Sequence, residues 1–351
     1  MKMVKRRIST VIHTNGILIA LMLCFLLSCQ EKKLIFQVNS NTKQMPLVDE
    51  NGELGNDVHV SRCGNDSLIV QDKESLKLFV QNKFVKHLMQ KGPGACEYQH
   101  VYAYKTLGDT LIVFDRQLSK LLLYSIKSNT CIREIILSDM SKATLFSYCN
   151  EKIYFFRTNF NNSFKPEEPL AYVMNLKSDT SIKPLDFTFA KINKTSLLNF
   201  TIKIESSDNV ACKGSMIYFS MPLQQKIFSY NFQTNSFSEF EITLNTPQDV
   251  APGTIKGLKQ TLEYIQNTEI ITGIFPLNER IAIVTKQGKQ PNIHWAIKFY
   301  SFQGDFEGEL PAKDYVVDVS ESSFLSLALD VEGKSKYPYS IVQQFYSVSK
   351  K

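Results

Sequence analysis

The side chains with chemical potential are few and widely spaced. His59, His100 and His294 lie far apart, with no His-x-x-x-His pair and no glutamate at ligand spacing, so spacing alone argues for no metal site. His59 and His100 still stand where two repeated units begin, and would approach a shared axis if those units pack radially. The competing reading is surface or turn histidine. Asp72 and Asp115 close two equivalent apolar runs, "SLIVQD" and "TLIVFD". They could line an acidic mouth, but aspartate at a strand end also starts a turn by bonding its own backbone. Gly92 and Gly94 in "KGPGACEY" resemble part of a phosphate loop. Without a Gly-Lys-Ser/Thr ending or a following helix, they read better as a tight turn. Trp295, the single tryptophan, is either a stacking platform or strand core. Beyond Cys24 and Cys29 there are five cysteines, Cys63, Cys96, Cys131, Cys149 and Cys212, with no C-x-x-C pair. Their odd number predicts buried thiols rather than a disulfide framework. No histidine at a matching offset points to a cysteine nucleophile.

Cys29 is the exception. It follows a basic start (Lys2, Lys5, Arg6, Arg7) and an unbroken apolar run of eleven residues, 17–27. That is the pattern of a secretory signal. Eleven helical residues rise only about 16 Å, about half a hydrocarbon core of roughly 30 Å, so the run is too short to span. Leu26-Leu27-Ser28-Cys29 resembles the bacterial lipobox, in which the cysteine is acylated and becomes the new N-terminus. One myristoyl-length chain binds membranes with only about 10⁴ M⁻¹, whereas two or more hold stably. The expected organisation is therefore a signal peptide at 1–28, an acylated tether at 29–33 and a folded domain at 34–351.

Removing residues 1–28 takes four basic residues and no acidic one, leaving 36 Lys and Arg against 34 Asp and Glu. No block of like charge remains, and nothing suggests a nucleic-acid partner. What does remain is a repeat. "NDSLIVQDKESLKLFV", from Asn65, and "GDTLIVFDRQLSKLLLYS", from Gly108, share one grammar: turn pair, apolar strand, short polar loop, second apolar strand. The offset from Asp66 to Asp109 is 43 residues, and four further units follow from Asn150, Lys213, Asn278 and Glu321. Each unit resolves into four short strands, in unit two at 102–106, 110–114, 121–126 and 132–137. The second strand is apolar on both faces, as a strand between packed sheets must be. The outermost, "EFEITL" from Glu239, alternates as a half-exposed strand does. An all-β fold is expected: a six-bladed β-propeller of four-stranded blades, with the early strand 34–38 completing the last blade and closing the ring. Amphipathic helical windows between strands are missing, which disfavours a parallel α/β fold. A two-sheet sandwich would not explain the regular offset.

With its lipobox, six units and "KGPGACEY", the chain resembles the TolB-like six-bladed β-propeller lipoproteins of Gram-negative bacteria. Their first blades often end in a glycine-rich G-x-G-P-G-E or G-x-G-P-N-E turn followed by an aromatic. Here Ala95-Cys96 is inserted before Glu97-Tyr98, a departure from that pattern. The resemblance implies an envelope lipoprotein, with the outer membrane the favoured location, but not a biochemical role.

Propeller geometry puts the loops joining second to third strands on the same face as those joining successive blades. That face collects Asp72, Asp115, the segment 91–98, the connection 157–169 beginning at Arg157, and the insertions 185–208 and 245–268. Long loops on a rigid scaffold are where binding is usually built. The candidate binding face is therefore His59, Asp72, Glu97, Tyr98, His100, Asp115, Arg157, His294 and Trp295. Residues 253–266 have helical spacing and would cap the rim. The favoured function is a membrane-tethered binding or scaffold module for an envelope protein, a glycan or a small molecule, with no cofactor. The alternative is a propeller hydrolase or lyase whose acids and amides hold a metal such as Ca²⁺ at the channel mouth. A sensor or accessory role in an export or uptake complex is a third reading.

Overall fold

The computed structural model describes residues 34–50, 54–55, 58–72, 75–137, 145–157, 167–177, 181–188, 209–220, 225–245, 257–289, 292–330 and 336–350. They form six four-stranded antiparallel sheets. Blade one is β2 (His59–Arg62), β3 (Ser67–Gln71), β4 (Leu76–Val80) and β5 (Lys83–Leu88). Blade two is β6 (Ala103–Leu107), β7 (Thr110–Asp115), β8 (Lys120–Ser125) and β9 (Thr130–Ile136). Blade three is β10 (Leu145–Cys149), β11 (Lys152–Phe156), β12 (Ala171–Asn175) and β13 (Ile182–Pro184). Blade four is β14 (Val210–Lys213), β15 (Met216–Ser220), β16 (Lys226–Asn231) and β17 (Ser236–Glu241). Blade five is β18 (Ile270–Pro276), β19 (Arg280–Lys289), β20 (Asn292–Ser301) and β21 (Phe306–Ala312). Blade six is β22 (Tyr315–Val319), β23 (Ser323–Leu329), β24 (Tyr339–Lys350) and, on its outer edge, β1 (Leu34–Pro46).

First strands touch first strands around the ring: β6 meets β10, β10 meets β14, β14 meets β18, β18 meets β22, and β22 meets β2. They therefore line the axis. The core is divided among the six junctions between blades. Leu78, Tyr104 and Leu122 pack between blades one and two; Phe114, Phe146 and Phe155 between two and three; Tyr154, Phe219 and Tyr230 between three and four. Tyr218, Ile274 and Tyr300 fill the next junction, Phe36, Phe299 and Val316 the one after, and Val60, Phe79 and Ile341 the last. This is why second strands are apolar on both faces: Leu111 and Val113 point into one junction, Ile112 and Phe114 into the next.

Ring closure comes from the N-terminal strand. β1 pairs antiparallel with β24, from Leu34 opposite Lys350 to Pro46 opposite Ser340, with a register shift between Val38 and Thr42. Phe36 stacks on Phe299 of blade five at 4.1 Å between ring centroids. The edge that β24 would otherwise expose is thus covered.

The cysteines overturn the sequence-based expectation. Two disulfides form, Cys96–Cys131 and Cys149–Cys212, each with 5.9 Å between Cα atoms. Among the described residues only Cys63 is free. The partners lie 35 and 63 residues apart in sequence, so no local spacing betrays them. Cys149 and Cys212 occupy matching positions near the ends of adjacent inner strands. Cys96 lies in the connection that crosses from blade one to blade two, and reaches the outer strand β9.

Candidate functional site

Each inner strand runs toward the turn that joins it to its second strand, so the channel has two chemically distinct ends. One end carries the turns between first and second strands; the other carries the turns between second and third strands and the crossings between blades. Most of the residues expected to bind lie at the latter.

There the aspartates are structural. Asp72 is buried, accepts the Ser75 backbone N–H at 2.9 Å and pairs with the buried Lys77 ammonium at 2.9 Å. Asp49 stands 3.6 Å from the same ammonium. Asp115, fully buried, accepts backbone N–H groups from Gln99 (2.6 Å), His100 (3.2 Å) and Leu118 (3.0 Å). Both carboxylates therefore fix turns, and they do not meet in a shared mouth. Glu97 accepts the Gly94 N–H at 2.9 Å. A Cβ on Gly94 would stand 2.7 Å from that carboxylate, and one on Gly92 would collide with it, which explains the glycines as a tight turn. Tyr98 is buried in the junction between blades one and two, and the His100 side chain is exposed. Arg157 is buried, and its Nη1 donates to Glu168 at 2.7 Å.

His59 and Trp295 belong to one aromatic row across blades two, one, six and five. His59 Nδ1 lies 3.3 Å from the Tyr104 hydroxyl, and the two rings meet edge to face at 5.7 Å. Tyr315 follows at 6.3 Å from His59, then Trp295 at 5.1 Å from Tyr315. The Lys286 ammonium sits 5.6 Å from the indole centroid. Trp295 is thus held between a tyrosine and a cation, which fixes the long β19–β20 hairpin over the rim. Burial raises the Asp314 carboxyl beside Tyr315 above the usual carboxylate range, with Lys313 opposing. His294 is exposed, opposite Gln287 on β19. The helix expected to cap this rim appears as α1 (Gly257–Asn267), whose last carbonyl accepts the Gln287 side-chain amide at 2.9 Å. Residues 158–166 of the connection 157–169, 189–208 of the insertion 185–208 and 246–256 of the insertion 245–268 lie outside the described residues, as do Cys29 and the expected leader and tether.

The other end of the channel holds a cavity of about 370 Å³. Its lining comes from the inner strands of five blades: Lys105 to Leu107, Ser147 and Tyr148, Val210 to Cys212, Ile274 to Pro276, and Asp318 with Val319. All of these lie within a few residues of the turns into the second strands. Blade one joins through Arg62, whose guanidinium bonds Asp318 at 3.2 Å. The Cys149–Cys212 bridge holds blades three and four together at the wall. Lys105 and Asp318 bring one charge of each sign, Ser147 and Tyr148 hydroxyls, and Ile274, Phe275 and Val319 apolar surface. Apart from Cys212, none of these residues stood out in the sequence. Each is ordinary in its own strand, and only its place on the innermost strand could have signalled it. Just outside, burial pushes the Cys63 thiol up to about 11, which keeps it protonated and unreactive near neutral pH.

Among the described residues, no three His, Cys, Asp or Glu side chains converge as a metal-ion site, and no helix is long and apolar enough to cross a membrane. No curated protein matches the sequence. Among solved structures, a Bacteroides fragilis protein described as exported by inference aligns with a TM-score of 0.61 at 15% identity, over 90% of this chain and 96% of that one. Kluyveromyces lactis Hsv2 aligns at 0.41 and 10% identity, over 77% and 71%. The Myceliophteria thermophila Cps50 (Swd1) β-propeller domain aligns at 0.42 and 10%, over 90% and 100%. The first of these shares the fold. A family model described as "6-bladed beta-propeller" matches residues 28–319, and the chain belongs to that six-bladed β-propeller family.

Proposed function

We propose that this protein is an exported lipoprotein, anchored through acylated Cys29 in the cell envelope, whose propeller binds a small polar or amphipathic molecule in the channel cavity. The carrying observation is the convergence of five inner strands on one cavity of about 370 Å³ with both charge signs, hydroxyls and apolar surface on its wall. That volume lies in the range of small-molecule clefts, and the mixture of walls is what such clefts use to fix orientation. The N-terminal pattern supports the anchor, and the expected organisation into 1–28, 29–33 and 34–351 belongs to this reading. So does the kinship with TolB-like lipoproteins and an outer-membrane location.

Native mass spectrometry on protein released from its own envelope tests the binding. A retained small molecule is expected in the wild type, and Lys105→Ala or Ala211→Leu should lose it while the melting temperature holds. Retention unchanged in both variants would reject the cavity as the site.

A further inference from the structure

Strand direction adds something about where the cavity faces. β1 begins at Leu34, opposite Lys350 at the end of β24. β24 reaches that end after passing Ser323, the residue that opens β23, and the Tyr346 N–H bonds the Ser322 carbonyl in the turn from first to second strand. The chain therefore enters the propeller at the end that carries the cavity. Its opposite end, Pro46, closes a strand of thirteen residues, about 40 Å long. Residues 29–33 span at most about 18 Å when fully extended. Such a tether cannot run back along the side of the blade and lay the other face on a membrane.

Tether length alone would allow the ring to stand on its blade-six edge. Exposed large apolar side chains stand at both ends, Ile136 and Leu329 at the end beyond the tether's reach, and the two at the cavity end bear on how that end approaches. Leu107, 46% exposed, stands at the turn end of β6 in blade two. Phe306, 54% exposed, opens β21 in blade five at the same end. Phe306 lies on β21 beside β1, close to where the tether enters, whereas Leu107 lies two blades round from it, so only a flat approach lets both reach an apolar boundary.

Resting on the Cys29 anchor proposed above, we infer that the ring turns its cavity end toward the bilayer, so that this face docks on lipid and the cavity is filled from the membrane side. The occupant of the face is the lipid surface itself, with Leu107 and Phe306 at the contact.

The test uses the full acylated protein in vesicles of phosphatidylethanolamine and phosphatidylglycerol containing lipid with a spin-labelled headgroup. In a Cys63→Ser background, Ser128→Cys places a fluorophore in the turn between β8 and β9, at the cavity end. Lys289→Cys places one at the tip of the β19–β20 hairpin, at the other end. Flotation with the vesicles, lost in Cys29→Ser, establishes the anchor. Several-fold stronger quenching at position 128 than at 289 is expected, reduced when Leu107→Lys and Phe306→Lys are combined. Protein that floats but is quenched equally at both positions, or more at 289, refutes the orientation alone. Protein that does not float refutes the anchor, and the orientation with it.

Discussion

Breaking the Cys149–Cys212 bridge is the sharpest test of how the blades are held together. The bridge joins residues 63 apart, on the adjacent inner strands β10 and β14. By the chain-entropy relation, closing a loop of that length stabilises the native state by about 4 kcal/mol, through the lost freedom of the unfolded chain. Unfolding entropy of about 2.1 cal/mol/K per residue gives roughly 0.7 kcal/mol/K for a domain of this size, so the bridge should be worth about 6 °C in melting temperature. Alanine at both positions keeps the site apolar and avoids stranding a hydroxyl beside the junction of blades three and four. Differential scanning calorimetry should therefore show the Cys149→Ala/Cys212→Ala double variant melting about 6 °C below the oxidised wild type. Each single variant should lose nearly as much as the double, because either one removes the same bond and the losses cannot add. Intact-mass analysis with thiol alkylation provides the direct check. Thiols alkylated at Cys149 and Cys212 in the non-reduced mature protein, or a double variant melting within about a degree of wild type, would refute the reasoning.

Three further outcomes follow from other parts of the ring. Lys77→Met should destabilise by about 3–5 kcal/mol in urea titrations, because the carboxylates of Asp49 and Asp72 would stay buried without their shared ammonium. Deleting residues 34–46 should lower the melting temperature and produce light scattering on warming, as β24 loses its edge partner and Phe299 its stacked ring. Burial pushes Tyr154, Tyr300 and Tyr346 up to about 12, from an ordinary value near 10. Since the folded form holds these protons more tightly than the unfolded chain, stability should be fully present below pH 10 and fall as pH rises toward 12. Tyrosinate absorbance from these three should then appear together with the loss of near-ultraviolet circular dichroism. Tyrosinate appearing well before unfolding would count against their burial.

The blades were readable because one physical demand repeats six times. A strand between two packed sheets must be apolar on both faces, and "TLIVF" from Thr110 and "IYFF" from Ile153 announce it in any window. In blade two the expected strands fall within about two residues of those observed, and the closing role of 34–38 is seen in β1, which continues to Pro46. Asp115 was ambiguous for a different reason: a carboxylate that fixes a turn and one that lines a mouth look alike until its three backbone donors are seen. The cavity was invisible because its polar members, Lys105, Ser147, Tyr148 and Asp318, come one or two from each strand. A channel wall is assembled by ring closure, not by any spacing along the chain. The bridges hid for the same reason, though the repeat held a clue. Cys149 and Cys212 share one repeat position in consecutive blades, and consecutive blades put that position side by side. Cys63 shares it too, but the matching positions of its neighbours, near Leu107 and Val319, hold no thiol, which leaves it free.

The bridges also bear on where the protein folds. Structural disulfides form and persist in oxidising compartments and are rare where thiol reductants are abundant. The apolar leader ending at Cys29 argues for export from the first thirty residues. The pairing of Cys96 with Cys131 and of Cys149 with Cys212 argues for it from within the blades, through unrelated chemistry. The two arguments fail separately, since a leader could precede a domain without bridges. They also make a joint demand on timing. Residues 96 and 131 are brought together once blade two closes, whereas Cys149 must wait for blade four, and the ring itself waits for β24 to meet β1 at the far end of the chain. On the export proposed above, a chain threaded through the membrane from its N-terminus would hold β1 unpaired until its last strand arrives. An exposed strand edge is an aggregation hazard over that interval. The early Cys96–Cys131 bridge shortens the stretch of chain that is still unconstrained, and its loss should therefore lower the yield of exported protein more than it lowers the melting temperature of the molecules that do fold.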